Sequence, residues 1–380
     1  MPFASNCSLC CAAPTASYRR PRLLPNSWNN SKAISPFPRL SENAKFNVSL
    51  LAVSHTSWRV KNRAISMALV RDTLGQREDV ASSSSILHNC GVQVRWNSVL
   101  DRSIPDPPTA VFLHGILGCR KNWGTFAKRM AKEFPTWQFL LVDLRCHGDS
   151  TSINKIGPHT VASAALDVLK LVRELRITPR VLVGHSFGGK VVLSMVDQAA
   201  KPLARPVRIW VLDATPGKVR AGGDGENHPA ELISLLSTLP KEVSSKRDIV
   251  KVLTQQGFSN DVAQWVVTNL RPTSSFGSQS SGFSWVFDLR GIAEMYQSYE
   301  ETNLWKIVED VPQGVHMNFL KAERSLHRWA LEDLQRIHAA EELASEEGGG
   351  VEMHVLEDAG HWVHADNPDG LFRILSSSFW

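Results

Sequence analysis

From about residue 67 the chain alternates two hydrophobic patterns. Short runs of consecutive apolar, often β-branched residues are followed by longer stretches whose apolar positions fall three and four apart. The first kind includes Thr109–Gly115 ("TAVFLHG"), Gln138–Gly148 ("QFLLVDLRCHG"), "RVLVGHS" ending at Ser186, and Val207–Gly217 ("VRIWVLDATPG"). Such runs predict strands buried on both faces, and Val92–Val99 predicts an earlier strand from its alternation. Between them, Asn122–Phe134, His159–Leu175 and the stretch from Phe187 to about Ala200 have helical spacing. Strand and helix in strict alternation predict an α/β fold with a mostly parallel central sheet flanked by helices.

The alternation breaks after Gly217. Residues 218–305 read as several helices with loops ("ELISLLSTL", "DIVKVLTQQGF", "DVAQWVVTNL") and no equally clear strand, which predicts a helical cap over one end of the sheet. Val315–Glu323 resumes the strand pattern, and a charged helix follows through Ala344. Ser345–Gly350 ("SEEGGG") reads as a solvent loop, and "VEMHVLEDAGHWVH" as the last strand and its turn. A closing helix starts near Pro368, where proline suits a first turn. The expected divisions are a leader (1–66), two parts of one core (67–217 and 306–380), and the cap between them.

Composition changes this picture only at the start of the chain. The formal charge is +5, but residues 1–66 hold nine of the 42 basic residues and one acid, Glu42. The body is therefore mildly acidic, which removes the main support for nucleic-acid binding. The same segment carries eleven serines, scattered Asn and Pro, and no continuous apolar h-region. That composition fits an organelle transit peptide, a chloroplast one by its small, hydroxylated opening, with the mitochondrion as alternative. Cys7, Cys10 and Cys11 lie in it; Cys90, Cys119 and Cys146 remain, an odd number without metal-type spacing, so no disulfide framework or metal site is expected. No stretch of 18 apolar residues exists, so no membrane-spanning helix is expected.

Candidate chemistry centres on Gly184-His185-Ser186-Phe187-Gly188, a G-x-S-x-G sequence with a strand before it and a helix after it. Those neighbours are what a nucleophile elbow needs to lift a serine oxygen clear of the sheet. A serine hydroxyl needs a base, and His361 sits just after the last strand with glycine before it; His364, three residues on, is expected beside the site. An oxyanion needs two N–H donors, expected from Phe187 and from Ile116, with Leu117 second, in the loop "FLHGILG". His114, Gly115, Leu117, His185 and Trp285 are expected to line the substrate pocket. Two carboxylates could orient the histidine: Asp213, at the end of a strongly apolar strand, and Glu323, flanked by Lys321 and Arg324.

The segments "HGILG", "DLRCHGDS", "GHSFGGK", "LDATPG" and "AGHWVHADNPD" together resemble the α/β-hydrolase superfamily, and within it small acyl esterases of the abhydrolase-domain-eleven type. The lysine after "GHSFGG" and the ending "GHWVHADNP" are the more specific parts. The resemblance implies that the cap is inserted after the sixth strand, and it implies cofactor-free hydrolysis of carboxylic ester or thioester bonds by a Ser–His–acid triad. It also favours an aspartate after the sixth strand, which makes Asp213 the expected acid and Glu323 the alternative.

A serine at the elbow argues against dehalogenases and epoxide hydrolases, and no G-x-G-x-x-G follows a first strand to support an oxidoreductase. Three alternatives fit the same scaffold: a plastid prenyl- or acyl-ester hydrolase of the chlorophyll-dephytylase kind, a carbon–carbon hydrolase, and a hydrolase-like small-molecule receptor. Phe258, Trp265, Phe276, Phe283, Trp285, Phe287 and Met295 of the cap are candidates for an apolar acyl or prenyl channel. The expected partner is a small-molecule ester.

Overall fold

A computed structural model describes residues 87–92, 107–153, 155–199, 207–220, 229–273, 282–325, 329–347 and 350–380. The segment 1–66, the strand expected at Val92–Val99 apart from Val92, and Phe276 lie outside the described residues. The first half of the core runs β1 (Asn89–Val92), β2 (Thr109–Leu113), α1 (Gly124–Glu133), β3 (Gln138–Val142), α2 (Val161–Glu174), β4 (Pro179–His185), α3 (Phe187–Gln198) and β5 (Val207–Leu212). The cap follows as α4 (Pro229–Thr238), β6 (Glu242–Val243), α5 (Lys246–Gln255), α6 (Asn260–Val266), β7 (Leu270–Pro272), β8 (Phe283–Trp285), α7 (Leu289–Glu301) and α8 (Trp305–Glu309). The core then resumes with β9 (Val315–Ala322), α9 (Leu331–Glu347), β10 (Gly350–Leu356), α10 (Val363–Asp366) and α11 (Pro368–Ser376).

The central sheet has seven described strands in the order β1-β3-β2-β4-β5-β9-β10. All pairs are parallel except β1 with β3. Side-chain alternation divides the core. On β2, Val111 and Leu113 pack with α2 and α3, whereas Ala110 and Phe112 face the opposite side with Trp123, Phe126 and Met130. Each fully buried side chain of this size contributes about 1.5–3 kcal/mol, and both faces of the sheet are lined with them.

Helix ends follow local rules. Thr160 caps α2 by accepting from the Ser163 N–H at 3.0 Å, and Asn367 caps α11 by accepting from Gly370 at 2.8 Å, with Pro368 in the first turn. The structure departs from expectation in two places. The cap is not purely helical: β6, β8 and β7 form a small antiparallel sheet. Its strands of two or three residues are too short for period-two alternation to register in sequence. Ser345–Gly350 is not one loop, since α9 continues through Glu347 and β10 starts at Gly350. Among the described residues the cap follows β5, the fifth strand; residues 1–86 and 93–106 lie outside them.

Parallel strands place all their carboxyl ends along one edge. There β2 delivers His114 and Gly115, β4 delivers Ser186, β5 delivers Asp213, and the turn after β10 delivers His361.

Candidate active site

Ser186 adopts φ 53° and ψ −116°, a strained backbone between β4 and α3. Its N–H donates to Leu212 O at 2.9 Å, which fastens the turn to the end of β5. The flanking glycines are required by close approach. A Cβ on Gly188 would lie 2.7 Å from His114 O, and one on Gly184 would lie 2.1 Å from Gly188 O. Phe187 is the first residue of α3, so its N–H has no intrahelical acceptor, and the helix N-terminus adds a favourable field for negative charge.

The loop after β2 lies against the elbow: a Cβ on Gly115 would be 3.3 Å from Ser186 Cβ. Gly115 O accepts from His114 Nδ1 at 2.7 Å and from Gly118 N–H at 3.1 Å. A peptide C=O and the next N–H point in opposite directions, so pinning Gly115 O aims the Ile116 N–H the other way. Leu117 is different. With φ 57°, it donates its N–H to His147 Nε2 at 3.0 Å, so that donor is already engaged. Of the two donors expected here, the geometry therefore leaves Ile116.

His114 and His147 are buried, and each has a fixed tautomer. His114 Nε2 accepts from Leu144 N–H at 3.0 Å, and His147 Nδ1 donates to Arg145 O at 2.8 Å. Burial pushes His114 down to about 4; burial, followed by the neighbouring His114, pushes His147 down to about 3. Both rings are neutral supports for the turn.

His361 Nδ1 lies 2.7 Å from Asp213 Oδ2. Asp213 is fully buried and has φ 49°. Its carboxylate also accepts from Ala322 N–H at 3.2 Å, Trp329 Nε1 at 3.1 Å and the Ser325 hydroxyl. These bonds come from the last residue of β9 and the segment after it, where the other candidate acid resides. Glu323 is exposed and accepts from Asp358 N–H at 2.9 Å, so the structure brings Asp213, not Glu323, to His361. His361 is held beside the elbow through His185, whose Nε2 is 2.6 Å from His361 O and whose ring centroid is 4.8 Å from that of His361. His185 is buried, and its pKa is well below the usual value through burial and then the neighbouring His361. His364 is half-buried between Trp123 and His185, with centroids at 4.7 and 5.4 Å. It is pushed to about 4 by burial and then by His361.

Residues 110–374 match the family described as "Alpha/beta hydrolase family". The chain belongs to this family. Among similar proteins, the "Putative esterase/lipase" of Haemophilus influenzae is 22% identical over 270 residues, covering 70% of this chain and 82% of that one. The mouse (Mus musculus) "sn-1-specific diacylglycerol lipase ABHD11" is 27% identical over 285 residues, covering 71% and 80%. A solved structure, "Marine microorganism esterase", superposes with a TM-score of 0.59 at 19% identity, covering 78% of this chain and all of that one. This last likeness concerns the fold.

Several groups that shape this alpha/beta hydrolase's site were not expected from sequence. His147, Ser325 and Trp329 act through contacts formed only on folding, and so does Asn269 of the cap, whose Nδ2 donates to Leu117 O at 3.2 Å. A loop histidine next to glycine in "RCHGDS" was the one available signal for His147. Among the expected channel residues, Met295 is fully buried helix-packing core and Phe287 is nearly so. Phe287 packs against His147 at 6.0 Å, and Trp285 stacks on Phe287 at 6.2 Å, so Trp285 reaches the core through that ring. Trp265 meets Trp362, the residue after His361, at 5.3 Å.

Proposed function

We propose that this hydrolase cleaves carboxylic ester bonds, and by the same chemistry thioesters, with Ser186, His361 and Asp213 as its triad. The observation that carries the reading is the 2.7 Å contact between His361 and buried Asp213 at the sheet edge where Ser186 occupies a strained elbow. Esterase and lipase names among the relatives support the same reaction class.

His361 takes the Ser186 proton as the oxygen attacks the acyl carbon. Asp213 holds the Nδ1–H tautomer and stabilises the imidazolium. The Phe187 and Ile116 N–H groups receive the oxyanion. The protonated imidazole then gives its proton to the departing alcohol or thiol, and water activated by His361 releases the acid. The aromatic rings of Trp265, Trp362 and Trp285 suit an apolar acyl group. The acid-poor, Ser-rich segment 1–66 supports import into the chloroplast, with the mitochondrion as alternative; a fluorescent fusion of that segment tests which.

The decisive experiment is labelling with a fluorophosphonate and turnover of short acyl esters. Ser186→Ala is expected to lose labelling and on the order of a millionfold in turnover while remaining folded. Full labelling of that variant would end the proposal, and a single turnover by the wild type would point to a receptor instead.

A further inference from the structure

Away from the triad, three potential metal ligands from distant parts of the chain meet where the cap joins the core. Cys146 lies after β3, His159 precedes α2, and Asp288 is the N-cap of α7. One donor atom from each falls within 4.8 Å of the others, and Cys146 Sγ is 3.4 Å from His159 Nδ1. We propose that Cys146, His159 and Asp288 bind a divalent metal ion, zinc by preference, which ties the cap to the core.

The chemistry suits zinc. Thiolate, imidazole and carboxylate are its usual ligands, and tetrahedral bonds of about 2.3 Å to sulfur and 2.0 Å to nitrogen put those two donors about 3.5 Å apart. The observed 3.4 Å therefore needs little change. Charge balances as well: one thiolate, one neutral imidazole and one carboxylate neutralise a dication in a site where two ligands are buried. Asp288 is exposed, which gives the ion a way in from solvent.

Two features of the backbone make room for the sulfur. Cys146 has φ 64°, a left-handed conformation that side chains other than Asn, Asp and Gly seldom occupy. On the facing helix, a Cβ on Gly291 would come within 2.4 Å of Cys146 Sγ. The two ligand segments are also tied directly, with Asp288 N–H donating to Cys146 O at 3.0 Å. Burial, followed by the charge of Asp288, pushes the thiol up to about 12, so it is protonated at neutral pH until a cation arrives. Binding then releases the Cys146 proton to solvent and forms the metal–sulfur bond, with no change of oxidation state. The ligand spacing in sequence resembles no zinc motif because the three residues converge only through the fold.

The test is titration of the full chain with Co²⁺, followed by thiolate-to-cobalt charge-transfer absorption, with Zn²⁺ as competitor. One equivalent is expected to bind with that band and raise the Tm. Cys146→Ser should abolish the band. Asp288→Asn, which preserves the helix cap, should weaken binding at least tenfold. Ser186→Ala should bind as the wild type does, which separates this proposal from the hydrolase reading. The chain also holds Cys7, Cys10, Cys11, Cys90 and Cys119, so a band that survives Cys146→Ser belongs to them and overturns the proposal. Absence of the band in the wild type, or unchanged affinity in Asp288→Asn, also overturns it, the latter even if Cys146→Ser fails to fold.

Discussion

Asp213 shows how a single carboxylate is fitted for one orientation. Its left-handed backbone turns it out of β5, and a backbone N–H, an indole and a hydroxyl hold its oxygens while His361 meets one of them. Asp213→Asn should therefore disturb the histidine tautomer more than the fold, lowering kcat by about 10⁴. Glu323→Gln should leave kcat within a few-fold of wild type. Steady-state kinetics of both variants on one acyl ester check this, and the reverse order would exchange the acids. Ser186, His361 and Asp213 were legible in sequence because each sits at the end of a strand, and strand ends can be read from apolar runs. The groups that hold them were not. Ser325 and Trp329 reach Asp213 from more than a hundred residues away, and nothing local marks them as its partners.

At the scale of elements, α3 both presents the serine and holds the cap. Lys190 is completely buried, and its Nζ donates to Gly217 O at 2.6 Å, Tyr299 O at 2.7 Å and Thr302 O at 3.2 Å. The Tyr299 ring adds a cation–π contact at 4.3 Å. A lysine one turn past the proposed nucleophile invites a catalytic role, but the hydrogen bonds of this amine go to the cap's entry and exit. Lys190→Met would leave three carbonyls without that donor, at about 1–3 kcal/mol for each group that stays buried and unpaired. A fall in Tm of roughly 2–4 °C for each kcal/mol lost is expected by calorimetry. Fluorophosphonate labelling of the folded fraction should persist. The helices and the long strands could be read from periodicity, whereas β6, β7 and β8 exist only because neighbouring cap segments pair.

Across the whole molecule, the buried histidines make stability depend on pH. His114 and His364 sit at about 4 and His147 at about 3, against 6.5 for an unfolded histidine, and His185 is shifted in the same direction. In acid the unfolded chain takes up protons that the native state refuses, so stability is lost as pH falls from about 6.5 towards 4 and is constant with respect to these groups above about 7.5. Between pH 6.5 and 5 the loss is about 2 kcal/mol for each such histidine. Urea midpoints at pH 7 and pH 5 measure it, and equal midpoints would contradict it; His147→Gln should shallow the slope by one proton. Truncation at residue 66 should leave ester turnover unchanged, since the family match spans 110–374. Loss of soluble protein on that truncation would show that the segment contributes to the fold.

The seam at Lys190 also bears on how such an enzyme can change its substrates. Leu304 N–H donates to Pro216 O and Val219 N–H to Glu300 O, both at 2.9 Å, so the chain leaves the core and re-enters it side by side. To the core, everything between these points is one long loop with closed ends, and the entropy of closing a loop grows only slowly with its length. The cap can thus be lengthened, shortened or exchanged for another while the strand ends that carry Ser186, Asp213 and His361 keep their register. The molecule behaves as a fixed reaction centre with an interchangeable ceiling.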